Sequence, residues 1–258
     1  MDDHPTNDSL ADDPQVVKFR ELLNTHQRIV AFTGAGISAE SGIPTYRGAG
    51  GTWTKYDPEK YASINYFVRE PTYYWSFFRD VRHDLMNEAE PNLAHLALVE
   101  LEKRGQLSAV ITQNIDGLHI KAGSKRVLEL HGNTTRFYCF DCHAPYTMKD
   151  AKSLLDEGQM PPRCAKCKGV LRPDVVLFGE MLPTDVTMEA EQESRLCDLM
   201  LVIGSSLVVY PAAQLPYTAK QSNAALAIIN VDPTPMDQLA DLVINRPAGE
   251  ILAAAVGL

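Results

Sequence analysis

The sequence predicts an α/β fold: a parallel sheet covered by helices on both faces, with a second, smaller domain inserted. Short, near-continuous apolar runs at 28–33, 108–112, 127–130, 199–203, 225–229 and 242–244 have the length and composition of strands buried on both sides. Helical stretches stand between several of these runs, as in repeated βαβ units. Two segments break the rhythm: an aromatic-rich stretch at 52–88 and a cysteine-bearing stretch at 136–171. Both read as insertions lying over the carboxyl edge of the sheet, where ligands of open α/β sheets bind.

Along the chain, residues 1–13 are acidic and predict a disordered tail, with neither the basic nor the apolar segment of a secretory signal. Asp13 and Pro14 form an N-cap and first-turn pair, and Val16, Val17, Phe19, Leu22 and Leu23 follow at helical spacing. Residues 91–104 read as a helix with Leu93, Leu96, Ala97, Val99 and Leu101 inward, stopped by Gly105. Further helices are expected near 184–197, 211–222 and 248–256. The sheet domain then comprises 14–51, 89–135 and 172–258, and the smaller domain 52–88 and 136–171.

Composition narrows the function. The chain has 258 residues, 45% of them apolar, which is enough for a sizeable core. No run of 18 apolar residues predicts a membrane span. A net charge of −9 disfavours binding to a phosphate backbone, so neither nucleic acid nor membrane is an expected partner. Four of five cysteines fall in two Cys-x-x-Cys pairs, which suits metal binding in a reducing, cytoplasmic setting better than disulfides. The fifth, Cys197, reads as a small buried hydrophobe.

Three groups of residues carry chemistry. Gly34-Ala35-Gly36-Ile37-Ser38 follows the first strand, and its glycines let backbone N–H groups approach phosphate oxygens. Thr45, Tyr46 and Arg47 come shortly after, with Arg47 offering a positive fork. Ala39 stands where a dehydrogenase fingerprint has its third glycine, and no acidic strand end follows some twenty residues on, so hydride chemistry is unsupported. Cys139, Cys142, Cys164 and Cys167 form two knuckles able to saturate one structural Zn²⁺, with His143 a weaker alternative ligand. Polar residues cluster at strand ends: Gln113, Asn114 and Asp116; His131; Gly204, Ser205 and Ser206; Asn230, Val231 and Asp232. Of the seven histidines, only His131 has the position of a general base. His95 and His119 read as packed or capping residues, His4 and His26 as exposed, and His83 as part of a polar helix face.

Taken together and in this order, with Phe178-Gly179-Glu180 between the cysteine pairs and Gly204, these motifs closely resemble the sirtuin family of NAD-dependent protein-lysine deacylases. The resemblance spans about residues 14–258. It implies a Rossmann-like NAD domain with a small zinc domain. It implies NAD contacts from the Gly34–Gly36 loop, Thr45, Tyr46 and Arg47, a nicotinamide-ribose pocket of Gln113, Asn114 and Asp116, and an adenosine site of Gly204, Ser205, Ser206, Asn230, Val231, Asp232 and Ala248. It also implies catalysis by His131 and Asn114, one structural Zn²⁺, and release of nicotinamide, O-acyl-ADP-ribose and free lysine. An acyl-lysine peptide would enter as an extended strand between 175–180 (Val176, Phe178, Gly179, Glu180) and 207–210 (Val208). Relatives that remove succinyl or malonyl groups carry Tyr-x-x-Arg after a Trp-x-Phe; here Phe78 and Val81 stand at those positions, which favours acetyl or longer apolar acyl groups. Ala49, between Gly48 and Gly50, resembles the same subgroup. The alternatives weighed are an NAD-dependent mono-ADP-ribosyltransferase, a zinc-containing nicotinamide oxidoreductase and a non-enzymatic zinc-ribbon adaptor.

Overall fold

In a computed structural model of the chain, residues 10–48, 50–82, 85 and 88–258 are described. The readings of His4, Ala49 and His83 lie outside them. So does the expected tail up to residue 9. Its last residues are packed, contrary to expectation: Leu10 is 4% exposed in the core, and Asp13 accepts from the Gln15 N–H at 2.8 Å. That bond caps the helix Pro14–Thr25.

Six strands form one parallel sheet: β1 (Ile29–Thr33), β2 (Leu107–Thr112), β3 (Val127–Glu129), β7 (Leu199–Ile203), β8 (Ala225–Ile229) and β9 (Leu242–Ile244). The order is β3-β2-β1-β7-β8-β9, so the chain builds outward from β1 in one direction and then from β7 in the other. This is the doubly wound arrangement, and its switch point lies between β1 and β7.

Alternation along each strand feeds two cores. Ile29, Ala31, Leu199 and Leu201 face the helices Pro14–Thr25, Leu93–Lys103 and Ala248–Val256. Val30, Phe32, Met200 and Val202 face the helices Thr184–Leu196 and Gln214–Gln221. On Leu93–Lys103 the inward residues are Ala94, Ala97, Leu98 and Leu101, whereas Leu93 and Leu96, expected inside, are 46% and 42% exposed. The stripe is set one position later than the apolar count alone suggested.

A second sheet is antiparallel, ordered β5-β4-β6, from β4 (Gly132–Cys139), β5 (Pro145–Thr147) and β6 (Leu171–Val175). Its residues Phe137, Cys139 and Leu171, with Cys164 from the loop before β6, share one core with Phe67, Tyr74, Trp75 and Phe78 from the aromatic stretch. The Trp75 indole N–H donates to the Leu171 carbonyl at 3.0 Å, tying the two stretches together. Burying rings of this size gives the module an apolar core of its own. No helix among the described residues is long and apolar enough to cross a membrane.

Candidate active site and zinc centre

A cleft of about 400 Å³ lies where the loops after β1, β2, β3, β7 and β8 converge with the small module. Glycine makes its floor possible. The Gly36 N–H donates to the Gly204 carbonyl at 2.8 Å, and a Cβ on Gly36 would stand 2.7 Å from the Gly204 Cα. Gly204 has φ +62°, and a Cβ there would meet the Ile37 nitrogen at 2.1 Å. Thus the turns after β1 and β7 touch backbone to backbone at the switch point. Ala35–Ser41 forms a 3₁₀ helix. The N–H groups of Gly34, Gly36 and Ile37 are bonded within the protein, so it is the bare backbone surface of this loop, with no Cβ in the way, and the exposed Arg47 that suit a pyrophosphate.

Gln113 and His131 are locked together. The His131 Nδ1 lies 2.8 Å from the Gln113 carbonyl oxygen, which can only accept. Nδ1 therefore carries the proton, and Nε2 presents a lone pair. Burial pushes the His131 pKa down, opposed by this hydrogen bond, so the ring is neutral at pH 7. The Gln113 side chain donates to Ser205 Oγ at 2.8 Å, bridging the loops after β2 and β7. Asn114 is 5% exposed and donates to the Gly34 carbonyl and to Ser38 Oγ, both at 3.1 Å. Its own N–H donates to Thr112 Oγ1 at 3.0 Å, and Thr112 in turn accepts from Thr33 Oγ1. His119 Nε2 pairs with Thr33 Oγ1 at 2.9 Å, and His95 sits in the capping box of Asn92, so both histidines are packed, buried groups.

The cleft brings together most of the residues singled out in the sequence. Gly34, Ala35, Gly36, Thr45, Tyr46, Arg47, Gln113, Asn114 and His131 line it, as do Val176, Phe178, Gly179, Glu180, Gly204, Ser205, Ser206, Asn230, Val231, Asp232 and Ala248. Four expected residues do not. Asp116 is buried behind the wall, accepting from Ser38 Oγ at 2.7 Å and from the Leu118 N–H at 2.9 Å. Burial raises its pKa, against those two donors. It caps the turn Leu118–Ala122 and props Ser38 under Asn114. Val208 points to solvent, 49% exposed, while its neighbour Val209 lines the cleft. Phe78 is fully buried in the small-module core, and Val81 lines a separate hollow with Tyr56 and Leu85. The cause is a π-helical turn at Phe78–Arg82, which widens the helix and brings Arg82 to the cleft instead. Sequence reading also missed Trp53, Ala62, Tyr210 and Arg246 on the wall. Only the aromatic density of 52–88 signalled the first of these.

Glu180 has a structural partner. Arg172, with a side chain 4% exposed, grips it with two bonds of 2.7 and 2.9 Å, and the Leu177 N–H adds a third at 2.8 Å. Burial works to raise the Glu180 pKa, but the Arg172 fork and the Leu177 N–H overcome it and hold it below the ordinary carboxylate value. A depressed carboxylate stabilises the fold above its unfolded pKa, and that contribution is lost as pH falls through the folded value. Glu180→Gln is therefore expected to cost about 3 kcal/mol at pH 7, because it leaves the Arg172 charge buried and uncompensated. The loss should shrink in acid. Urea unfolding at pH 7 and pH 3 checks this; an equal loss at both would contradict the pairing.

The four cysteines of the small module gather into one cluster, their sulfurs within 4.8 Å of one another. Cys139 and Cys167 are 3.4 Å apart and Cys142 and Cys164 are 3.7 Å apart. Four thiolates around Zn²⁺ at ~2.3 Å stand ~3.8 Å from each other, so the set fits the ion. His143 stays outside, stacked on Tyr138 at 5.9 Å between ring centres. Cys197 is buried elsewhere, its thiol pushed up to about 12 by burial.

A family model described as the Sir2 family matches residues 34–211. Among curated relatives, the NAD-dependent protein deacylase 2 of Archaeoglobus fulgidus is 50% identical over 243 residues, covering 94% of this chain and 95% of its own. The NAD-dependent protein deacetylase of Saccharolobus solfataricus is 49% identical over 230 residues, covering 89% and 91%. Among solved structures, a histidine-to-alanine variant of Sir2 with a deacetylated p53 peptide and 3′-O-acetyl-ADP-ribose superposes with a TM-score of 0.90 at 42% identity, covering 94% and 98%. Sir2Tm bound to a propionylated peptide gives 0.86 at 41%, covering 94% and 98%. The chain belongs to the Sir2 family.

Proposed function

We propose that His131 is the base of an NAD-dependent protein-lysine deacylation carried out in this cleft. The observation that carries the reading is the imidazole itself. Its Nδ1 is fixed on the Gln113 carbonyl, its ring is neutral, and it lines the same cleft as the Gly34–Gly36 loop. NAD is a co-substrate. Its pyrophosphate lies over Gly34–Gly36 beside Arg47, and its adenosine half meets Gly204–Ser206, Asn230–Asp232 and the start of the Ala248–Val256 helix. Its nicotinamide ribose is held toward Gln113, Asn114 and His131. Thr45 shapes the loop by donating to the Arg47 carbonyl at 2.8 Å.

The acyl-lysine enters from the small-module side, past Val176 and Phe178. Strand pairing supports this route. The N–H groups of Gly179 and Val208 have no partner among the described residues, whereas Phe178 is already bonded to Ala62 and Ile64. Backbone pairing of this kind reads sequence loosely. The acyl oxygen attacks C1′ of the ribose, and nicotinamide leaves with the electron pair of the broken C–N bond. Positive charge builds on the sugar in a site shielded from water, where fixed dipoles act strongly. His131 then takes the proton from a ribose hydroxyl, whose oxygen captures the acyl carbon. Water supplies the new acyl oxygen as lysine departs, leaving O-acyl-ADP-ribose. Cys139, Cys142, Cys164 and Cys167 would hold the zinc, which would brace the small module and, with four thiolates around it, would leave no position for substrate. Cysteines left unbridged for a metal suit a reducing compartment, which supports a cytoplasmic location.

Incubation with NAD and an acetyl-lysine peptide tests the reading. Free nicotinamide and deacetylated peptide are expected in equal amounts. ADP-ribose attached to the peptide or to the enzyme, with the acetyl group retained, would contradict it in favour of ADP-ribosyl transfer. Reduced cofactor would favour the oxidoreductase.

A further inference from the structure

His95 and His119 lie side by side, their ring centres 4.8 Å apart, and both are buried. Neither lines the cleft. Burial pushes both pKa values down, His95 to about 4, so the rings are neutral at pH 7. Among the described residues, His119 Nδ1 and His95 Nε2 have no hydrogen-bond partner. Unpaired ring nitrogens this deep are costly, and a leucine of similar size would avoid the cost. What the His119 imidazole adds is its other nitrogen, which lies 2.9 Å from Thr33 Oγ1.

That contact begins a chain of hydrogen bonds. Thr33 and Thr112 are register partners at the ends of β1 and β2. The Thr33 hydroxyl gives its one proton to Thr112 Oγ1 at 2.8 Å, so it accepts from His119, and Nε2 carries the ring proton. Thr112 Oγ1 in turn accepts the Asn114 N–H at 3.0 Å. This N–H and the Gln113 carbonyl are the two ends of one planar peptide unit. The carbonyl end is the acceptor that fixes His131 Nδ1 at 2.8 Å. A hydroxyl holding one end of the plane therefore sets the direction of the other. The Asn114 side chain is held separately, on Gly34 and Ser38.

We propose that His119, braced by His95, is a positioning residue for the base: through Thr33 and Thr112 it fixes the Gln113–Asn114 peptide plane, and the plane aims the His131 imidazole. This rests on the deacylase reading above. No proton moves along the chain; each bond only orients the next.

The test measures kcat for deacetylation in His119→Leu, His119→Gln and Thr33→Val, each made in the wild type and in His131→Ala. His119→Leu and Thr33→Val should each lower the wild-type kcat about 5- to 10-fold, the value of one neutral hydrogen bond. His119→Gln, which keeps an N–H donor, should recover part of the loss. In His131→Ala the same substitutions should change the residual rate less than about 2-fold, because the group they position is gone. A second readout needs no turnover. The histidine ¹⁵N NMR signal that disappears in His131→Ala belongs to His131, and His119→Leu and Thr33→Val should shift or broaden it. Equal falls in both backgrounds would overturn the proposal, as would a lower Tm with kcat unchanged or an unaltered His131 signal. Should His119→Leu fail to fold, Thr33→Val decides, since it leaves both imidazoles in place. Wild-type enzyme that releases no lysine would instead sink the deacylase reading, and the NMR comparison would still decide the chain from His119 to His131.

Discussion

His131→Ala is expected to deacetylate an acetyl-lysine peptide about 10²- to 10⁴-fold more slowly than the wild type, the usual weight of a positioned general base. The fold should survive. The substitution removes one hydrogen bond, to the Gln113 carbonyl, worth about 1 kcal/mol, and in a chain of this length that lowers Tm by only a few degrees. The pH profile separates the base from a merely structural histidine. Burial lowers the folded pKa of His131 below 6.5, so the wild-type rate should hold at neutral pH and fall only as pH drops through that lowered value. The residual rate of the variant should lack this acid limb. A variant with near-normal rate, or with the same acid limb, would show that the proton goes elsewhere.

Removal of the metal should have an effect as large, by a different route. Cys139 and Cys164 are fully buried, and four thiolates crowded within 4.8 Å repel one another unless a cation joins them. Structural Zn²⁺ contributes ~10–16 kcal/mol in small modules, comparable to a domain's whole stability of ~5–15 kcal/mol. Chelation, or Cys164→Ser, is therefore expected to release β4–β6 and the aromatic core built on Phe137 and Trp75. Val176 and Phe178 follow directly from β6, so the substrate side of the cleft collapses with it, and activity should fall below detection. The parallel sheet has its own two cores and should keep its helical signal. One zinc per chain by elemental analysis, lost together with activity and regained on adding Zn²⁺, is the expected result. Full activity in metal-free protein would contradict it.

The sheet and the metal set were legible in the sequence because each is written locally. Six apolar runs gave the six parallel strands within a residue or two, and the two Cys-x-x-Cys knuckles named their own members. His131 was legible for the same reason: it follows a buried strand directly. What was hidden depends on distant partners or on a backbone irregularity. Glu180 looked like a substrate contact, yet its charge is committed to Arg172 eight residues earlier through the fold of β6. Asp116 shared a motif with Gln113 and Asn114, but the chain turns after Ile115, and its carboxylate caps the next helical turn. The acyl-pocket reading counted residues as if the helix after Trp75 were regular. One π-helical turn shifts the count and exchanges Val81 for Arg82.

Exchange of labelled nicotinamide into NAD by His131→Ala, measured beside deacetylation in the presence of acetyl-lysine peptide, tests the account most directly. Attack on C1′ and loss of nicotinamide precede the step that needs the imidazole. The variant should therefore still exchange label, and only with acylated peptide present, while releasing almost no free lysine. Loss of exchange and deacetylation to the same degree would mean that His131 serves the first bond-breaking step or the shape of the cleft, and the assignment of the base would be wrong.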